Sequence, residues 1–317
     1  RSLTIRWVDY RFATQFSRHF TNLKELVLLG SQLEVGKFDL PCLSSSLPLL
    51  THLSLENFKI CAIKSLNKLV HLSTLLFTNC GMDDLSFLSQ ENSLPELISL
   101  CIDHYPGPST SAFASLAHAP NLQVLEVVYE NFNNDDCFQY LDDMVHLRKL
   151  RLTNPKIIGD SRLLKKLIQN SIQLEELNLE HCRGIGNQGA IAGALYSTHI
   201  RLRVLNLSDC NLVDDDLNGI GKLKNTLEAL DLSNNCKLTN EGLMHCRDLV
   251  KLKRLNLSGC QSVDDLSPLK DCLNVQELNV SCCCELTDDT FKIFSEEPNS
   301  FPNLRFLSLA CCFKLTE

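Results

Sequence analysis

One nine-residue pattern, L-x-x-L-x-L-x-x-C, constrains this chain more than any other feature. It is present as LEELNLEHC (174–182), LRVLNLSDC (202–210), LKRLNLSGC (252–260), VQELNVSCC (275–283) and LRFLSLACC (304–312). LEALDLSNN (227–235) has Asn235 where the others have cysteine, and looser copies start at residues 23, 50, 72, 97, 122 and 147. A partial copy, LTIRW, lies at the N-terminus. The first anchors recur at a mean spacing of about 25.5 residues, a period that marks one strand-containing unit stacked on the next.

The alternation L-x-L predicts a short strand with leucines on one side. Parallel stacking at about 4.8 Å merges those leucines into one core that no single copy can bury alone. The Cys/Asn column falls where the chain leaves the strand. An asparagine amide there serves the turn backbone, and a thiol fills the same space with weaker bonds. The segments that follow, such as KLTNEGLMHC and SVDDLSPLKDC, read as a helix N-cap and a short helix on the convex side. The aspartate pairs 83–84, 214–216, 264–265 and 288–289 are assigned to that capping, favoured by the positive helix end. The expected fold is an α/β solenoid (horseshoe) of about 12–13 repeats with parallel concave strands. It forms a single domain over 1–317, irregular over 1–173 and regular over 174–317. The opening Arg1 suggests a piece of a longer chain.

The regular half resembles the cysteine-containing leucine-rich repeats of F-box/leucine-rich-repeat proteins, on Cys182, Cys210, Cys236, Cys260, Cys283 and Cys312 with CKLTNEGL (236–243) and CELTDDTF (284–291). The resemblance is generic over 1–173. It implies a solenoid that offers its concave strands to a protein and, in the F-box relatives, the substrate receptor of a cullin–RING ubiquitin ligase. A Skp1-like adaptor and cullin would then engage a segment outside this stretch, because the residues before Leu23 already read as repeat. The alternative is a repeat scaffold or regulatory subunit with no ligase role.

Composition narrows the partners. Thirty Lys+Arg against thirty-eight Asp+Glu give a net charge of −8, which argues against a general grip on nucleic-acid phosphates. No apolar run has the length of a membrane span. No catalytic motif occurs in a fitting context and no cofactor is implied; GIGNQG (184–189) occupies a turn-to-helix slot of a repeat rather than a phosphate loop. The clusters CCC (282–284) and CC (311–312) have two readings, buried thiols or a tetrahedral zinc site, and repeat register favours the thiols. The chain has sixteen cysteines, and those that recur in the core column need no partner, which points to a reducing cytoplasm or nucleus. The sequons at Asn206, Asn256 and Asn279 fall within strands and point the same way.

A partner is therefore expected on the concave face. One outward column runs Val27, Ser54, Leu76, Cys101, Glu126, Arg151, Asn178, Asn206, Asp231, Asn256, Asn279 and Ser308. Its asparagines suggest a hydrogen-bonded ladder. The middle is more individual: Val124, Glu126, Val128, Tyr129, Arg148, Lys149, Arg151, Glu176 and Asn178 combine apolar, aromatic and opposite charges, as a specific protein interface does. The segment DHYPGPSTSAF (103–113) reads as a projecting loop with His104 and Tyr105 as contacts.

Overall fold

The computed structural model describes residues 2–8, 19–30, 37–82, 85–88, 93–105, 114–129, 141, 144–153, 161–186, 189–196, 200–292 and 300–316. The chain forms two compact units, residues 1–151 and 152–317. Asp83 and Asp84 lie outside the described residues.

In the first unit the strands are β1 (Ser2–Val8), β2 (Glu25–Gly30), β3 (Lys37–Asp39), β4 (His52–Glu56), β5 (Lys59–Cys61), β6 (Thr74–Thr78), β7 (Ser99–Tyr105), β8 (Val124–Tyr129) and the start of β9 (Lys149–Thr153). β3 and β5 pair separately. From β1 through β8 the remaining strands lie in chain order, each parallel to the next. Leu26, Leu53, Leu75, Leu100 and Leu125 are register partners and are buried, so the second leucine of every copy forms one apolar column.

The second unit holds β10 (Glu176–Asn178), β11 (Val204–Asn206), β12 (Ala229–Asp231), β13 (Arg254–Asn256), β14 (Glu277–Asn279) and β15 (Phe306–Ser308), again parallel and in chain order. These strands have three residues each, against five to seven for the main strands of the first unit from β1 to β8. The outward Asn/Asp column accounts for the difference. Asn178, Asn206, Asp231, Asn256 and Asn279 each accept, through Oδ1, the backbone N–H two residues on, at 2.9–3.1 Å. That local bond takes an amide out of the sheet. The expected side-chain ladder is thus a bond repeated inside each copy, with one rung between copies, Asn256 Nδ2 to Asp231 at 2.8 Å.

The Cys/Asn column behaves as its chemistry requires. Cys80, Cys182, Cys210, Cys260, Cys283 and Cys312 are buried and donate to the carbonyl of the third apolar anchor of the preceding copy, Leu55, Leu152, Leu179, Leu232, Leu257 and Val280, at 3.0–3.3 Å. Cys210, Cys260, Cys283 and Cys312 also receive the backbone N–H of the column residue one coil back. Burial pushes the Cys210, Cys260 and Cys283 thiols up to about 12 despite those bonds. Asn235 makes the same contacts more strongly: its Nδ2 donates to Leu207 O at 2.9 Å and Leu232 O at 2.8 Å, and its Oδ1 accepts from Cys210 N at 3.1 Å and Leu212 N at 2.9 Å. Cys236, one of the cysteines that carry the family resemblance, lies beside this column and is exposed.

The return segments differ from expectation in kind. α-Helices occur at α1 (Leu40–Ser46), α2 (Ser161–Asn170), α3 (Ala190–Leu195) and α4 (Asn240–Met244), whereas Ile63–Lys68, Ser115–His118, Asp214–Leu217, Ile220–Leu223, Ser267–Leu269 and Asp288–Lys292 are 3-10 turns. The tighter turn rises about 2.0 Å per residue against 1.5 Å, so fewer residues cover the return. Gly186 sets one close approach, since a Cβ there would lie 2.3 Å from Asn211 O and 2.4 Å from Cys210 O.

The aspartates are structural, but mostly between copies rather than as caps of their own helix. Thr239 is the N-cap of α4, accepting from Glu241 N at 3.2 Å. Asp214 receives Thr239 N at 2.8 Å and Thr239 Oγ1 at 2.7 Å from the next copy, and Thr316 bonds Asp288 likewise. Asp264 bonds back to Asn240. Asp216 does both jobs, accepting Val213 N of its own turn at 2.9 Å and Gly189 N at 3.0 Å.

Candidate functional site

On the outward strand face of the first unit, Val124 and Glu126 of β8 and Lys149 and Arg151 of β9 are half-buried. Gln123 O, just before β8, accepts the N–H groups of Arg148 and Lys149 at 2.8 and 3.0 Å, which sets the two strand starts side by side. The Lys149 ammonium then reaches Glu126 at 2.9 Å. Cys101 of β7 registers with Glu126 and senses the same charges. Burial pushes its thiol up to about 11 and Glu126 adds to that, while a hydrogen bond with Ser99, and then Lys149 and Arg151, oppose it. Val128 is half-buried two residues beyond Glu126, and Arg148 is exposed at the strand start. A shallow groove of about 480 Å³ runs beside these starts, lined in part by Glu96, Ile98, Gln123 and His146.

Not every expected residue joins this face. Glu176 and Asn178 belong to β10 of the second unit, where both are half-buried and Asn178 is engaged with Glu180 N. His104 and Tyr105 are backbone residues of β7, with Tyr105 in register with Tyr129. They are therefore strand, not loop: after a register shift beyond Ile102, pairing with β8 resumes at Tyr105, past the point where the Pro/Gly composition suggested a break. Their side chains, that of Tyr129 and residues 106–113 lie outside the described residues.

Two arrangements in the second unit escaped the sequence reading. The residue ahead of each strand alternates in sign over consecutive copies, Glu175, Arg203, Glu228 and Lys253. Glu228 accepts from Arg203 Nε at 3.0 Å and Lys253 Nζ at 2.8 Å, and Arg203 lies 3.9 Å from Glu175. The signal is present in the aligned copies, as a charge that changes sign from each copy to the next. At the opposite strand ends, Asp209 receives His181 Nδ1 at 2.8 Å and Arg183 at 2.7 Å. The bonds to Arg183 and His181 hold the Asp209 carboxyl below its ordinary range against the opposing effect of partial burial, which is the largest single influence.

The charge ladder has a pH signature. Hydrogen bonds from Lys253 first and Arg203 second lower the Glu228 carboxyl to about 2. A depressed folded-state value means stabilisation that is complete above the unfolded carboxylate range and is lost as pH falls through about 2. Glu228 should therefore titrate well below the other glutamates in a carboxyl-resolved NMR titration. Lys253→Ala should return it toward 4.5. An ordinary midpoint in the unaltered chain would show that the ladder does not form in solution.

Among the described residues, no group of three or more His, Cys, Asp or Glu is placed to hold a metal ion, and no helix is long and apolar enough to cross a membrane. A leucine-rich-repeat family model matches residues 171–192 and 224–244. A leucine-rich-repeat protein of Leptospira interrogans superimposes with a TM-score of 0.53 at 16% identity, over 96% of this chain and 89% of that one. A chain of the Drosophila Toll–Spatzle complex gives 0.54 at 14% identity, over 97% of this chain and 42% of that one. A chain of the mouse RP105/MD-1 complex gives 0.60 at 21% identity, over 94% of this chain and 47% of that one. At these identities the likeness is one of fold. Taken with the parallel sheet of thirteen strands in chain order, it gives this chain the fold of a leucine-rich-repeat solenoid, with a match to the leucine-rich-repeat family model in two of its copies.

Proposed function

We propose that the chain is a protein-binding module whose partner docks on the outward face of β7, β8 and β9 in the first unit. The observation that carries this reading is the contrast between the two strand faces. In the second unit the outward column repeats one asparagine bond, so successive copies offer a partner nearly the same surface. In the first unit the same positions place the Glu126–Lys149 pair among Val124, Val128, Cys101 and Arg151. Apolar area next to opposite charges provides both affinity and orientation. Chains of similar fold stand in complexes with protein partners in Toll–Spatzle and RP105/MD-1, and that mode of use is extended here by analogy.

The finer reading is the substrate-recognition part of a cullin–RING ligase receptor, with a Skp1-like adaptor held by a segment outside these residues. It rests on the resemblance of residues 174–317 to F-box relatives. A cytoplasmic or nuclear setting goes with it, supported by a core whose thiols bond carbonyls instead of one another. Proteins recovered with the full-length chain from cells, identified by mass spectrometry, separate the readings: adaptor and cullin support the receptor, and an assembly lacking both supports a scaffold.

The docking face has its own test with the purified partner so identified. Lys149→Glu should weaken binding at least tenfold, since an interfacial charge pair broken on one side costs about 2–5 kcal/mol. The swap Glu126→Lys with Lys149→Glu keeps the internal pair and should still lose the partner, with a melting curve close to that of the parent. Exposed Lys224 sits on a return segment, and Lys224→Glu should change neither. Full binding by the swap would remove this face from consideration.

A further inference from the structure

Cys282 and Cys311 occupy the same place in consecutive copies. β14 pairs with β15 through Asn279 and Ser308, and the register continues three residues on to these two cysteines. The Cys282 N–H donates to Ala310 O at 2.7 Å, which holds the two coils together at that level. Parallel neighbours lie about 4.8 Å apart, inside the Cα separation of about 4.4–6.8 Å that a disulfide spans. Both cysteines are exposed and reduced, and the Cys311 thiol lies close enough for its charge to raise the Cys282 thiol after the larger effect of desolvation.

The backbone supplies a second, independent observation. This position is left-handed in every described copy of the second unit: His181, Asp209, Asn234, Gly259, Cys282 and Cys311 have φ between 51° and 73°. Glycine, asparagine and aspartate tolerate that region, and in the first unit Asn57 and Asn79 take it. Cysteine has neither the missing Cβ of glycine nor a carbonyl side chain to bond locally, yet it fills the slot twice in succession. The flanking thiols are engaged elsewhere. Cys283 and Cys312 point into the core and donate to Leu257 O and Val280 O at 3.1 and 3.2 Å, and Cys284 contacts Cys282 O at 3.6 Å.

We propose that Cys282 and Cys311 form a dithiol site that is oxidised by small disulfides to a cross-link between the two copies. One thiolate attacks a sulfur of a reagent RSSR, forming a mixed disulfide and releasing RS⁻. The facing thiolate then attacks the protein sulfur of that mixed disulfide, closing Cys282–Cys311 and releasing the second RS⁻. Two electrons pass from the cysteines to the reagent, and the two protons from the protein thiols end on the two released RSH. The column thiols are spared because they are buried and face away from the reagent.

The experiment treats the full chain with oxidised glutathione in buffers of graded redox ratio. Intact mass and peptide mapping after alkylation of the remaining thiols provide the readout. The expected product has lost two hydrogens, carries no glutathione and maps as one link between the peptides holding Cys282 and Cys311. Cys311→Ser should instead stop at one stable glutathione adduct on Cys282, and Cys284→Ser should cross-link as the parent does. Mapping on the unaltered chain decides the matter even if a serine variant folds poorly. A parent chain that stops at adducts, a link through Cys284 or Cys236, or a cross-link lost in Cys284→Ser would each overturn the assignment.

Discussion

Asn235→Ala is expected to be among the most destabilising single changes in the chain, because it strips partners from both sides of a fully buried turn. Asn235 has no exposed surface, and its Oδ1 is the acceptor for two backbone amides, Cys210 N and Leu212 N. Each buried polar group left without a partner costs about 1–3 kcal/mol, so these two amides alone come to about 2–6 kcal/mol. Asn235→Cys should recover much of that loss. A thiol in this column donates to the carbonyl one coil back and accepts the amide of the preceding column residue, as Cys210, Cys260 and Cys283 do. It has no arm for the Leu212 amide, so recovery should remain incomplete. Urea titrations of the three chains provide the comparison. The column model fails if alanine costs under about 1 kcal/mol or if cysteine is no better than alanine.

Leu255→Ala carries the second large effect. Leu255 is buried and sits in register between Leu230 and Leu278, so truncation opens a void between three coils at once. Leucine-to-alanine changes in such cores cost about 2–5 kcal/mol, with the upper end where the surroundings cannot collapse. Here each neighbour is held by backbone bonds on both sides. For contrast, Asp264→Ala removes only the exposed bond that its carboxylate accepts from Asn240 Nδ2, keeps the backbone N–H bond to Asn240 Oδ1, and should cost about 0.5–1.5 kcal/mol. Equal destabilisation by the two would contradict the packing described.

The repeat was legible because a solenoid writes its core into sequence as a period. Each leucine meets the equivalent leucine of the next copy, so identical spacing is itself the contact map. The same logic made the cysteine column readable as buried space and Asn235 as its stronger polar counterpart. It did less well where side chains act between copies on exposed positions. Asp214, assigned as a helix cap, instead receives Thr239 of the following copy. Either use of a carboxylate produces the same residue types at nearly the same spacing, and only distance distinguishes them.

The candidate site divides in the same way. That the outward strand positions vary in Val124, Glu126, Lys149 and Arg151 and repeat in Asn206, Asn256 and Asn279 is plain from aligned copies. Which of them meet is not, because a charged side chain has several rotamers and the choice depends on what lies beside it. Lys149 reaches Glu126 only because Gln123 O fixes both strand starts. His104 and Tyr105 extend a strand although their composition marks a loop, since parallel pairing outweighs local preference. The apolar period by itself determined the fold, the column of buried thiols and the face turned outward. The tertiary structure decided which exposed groups bond, and it placed Cys282 across from Cys311 at left-handed positions, because backbone handedness and side-chain distance are properties of neighbouring coils and not of any one repeat.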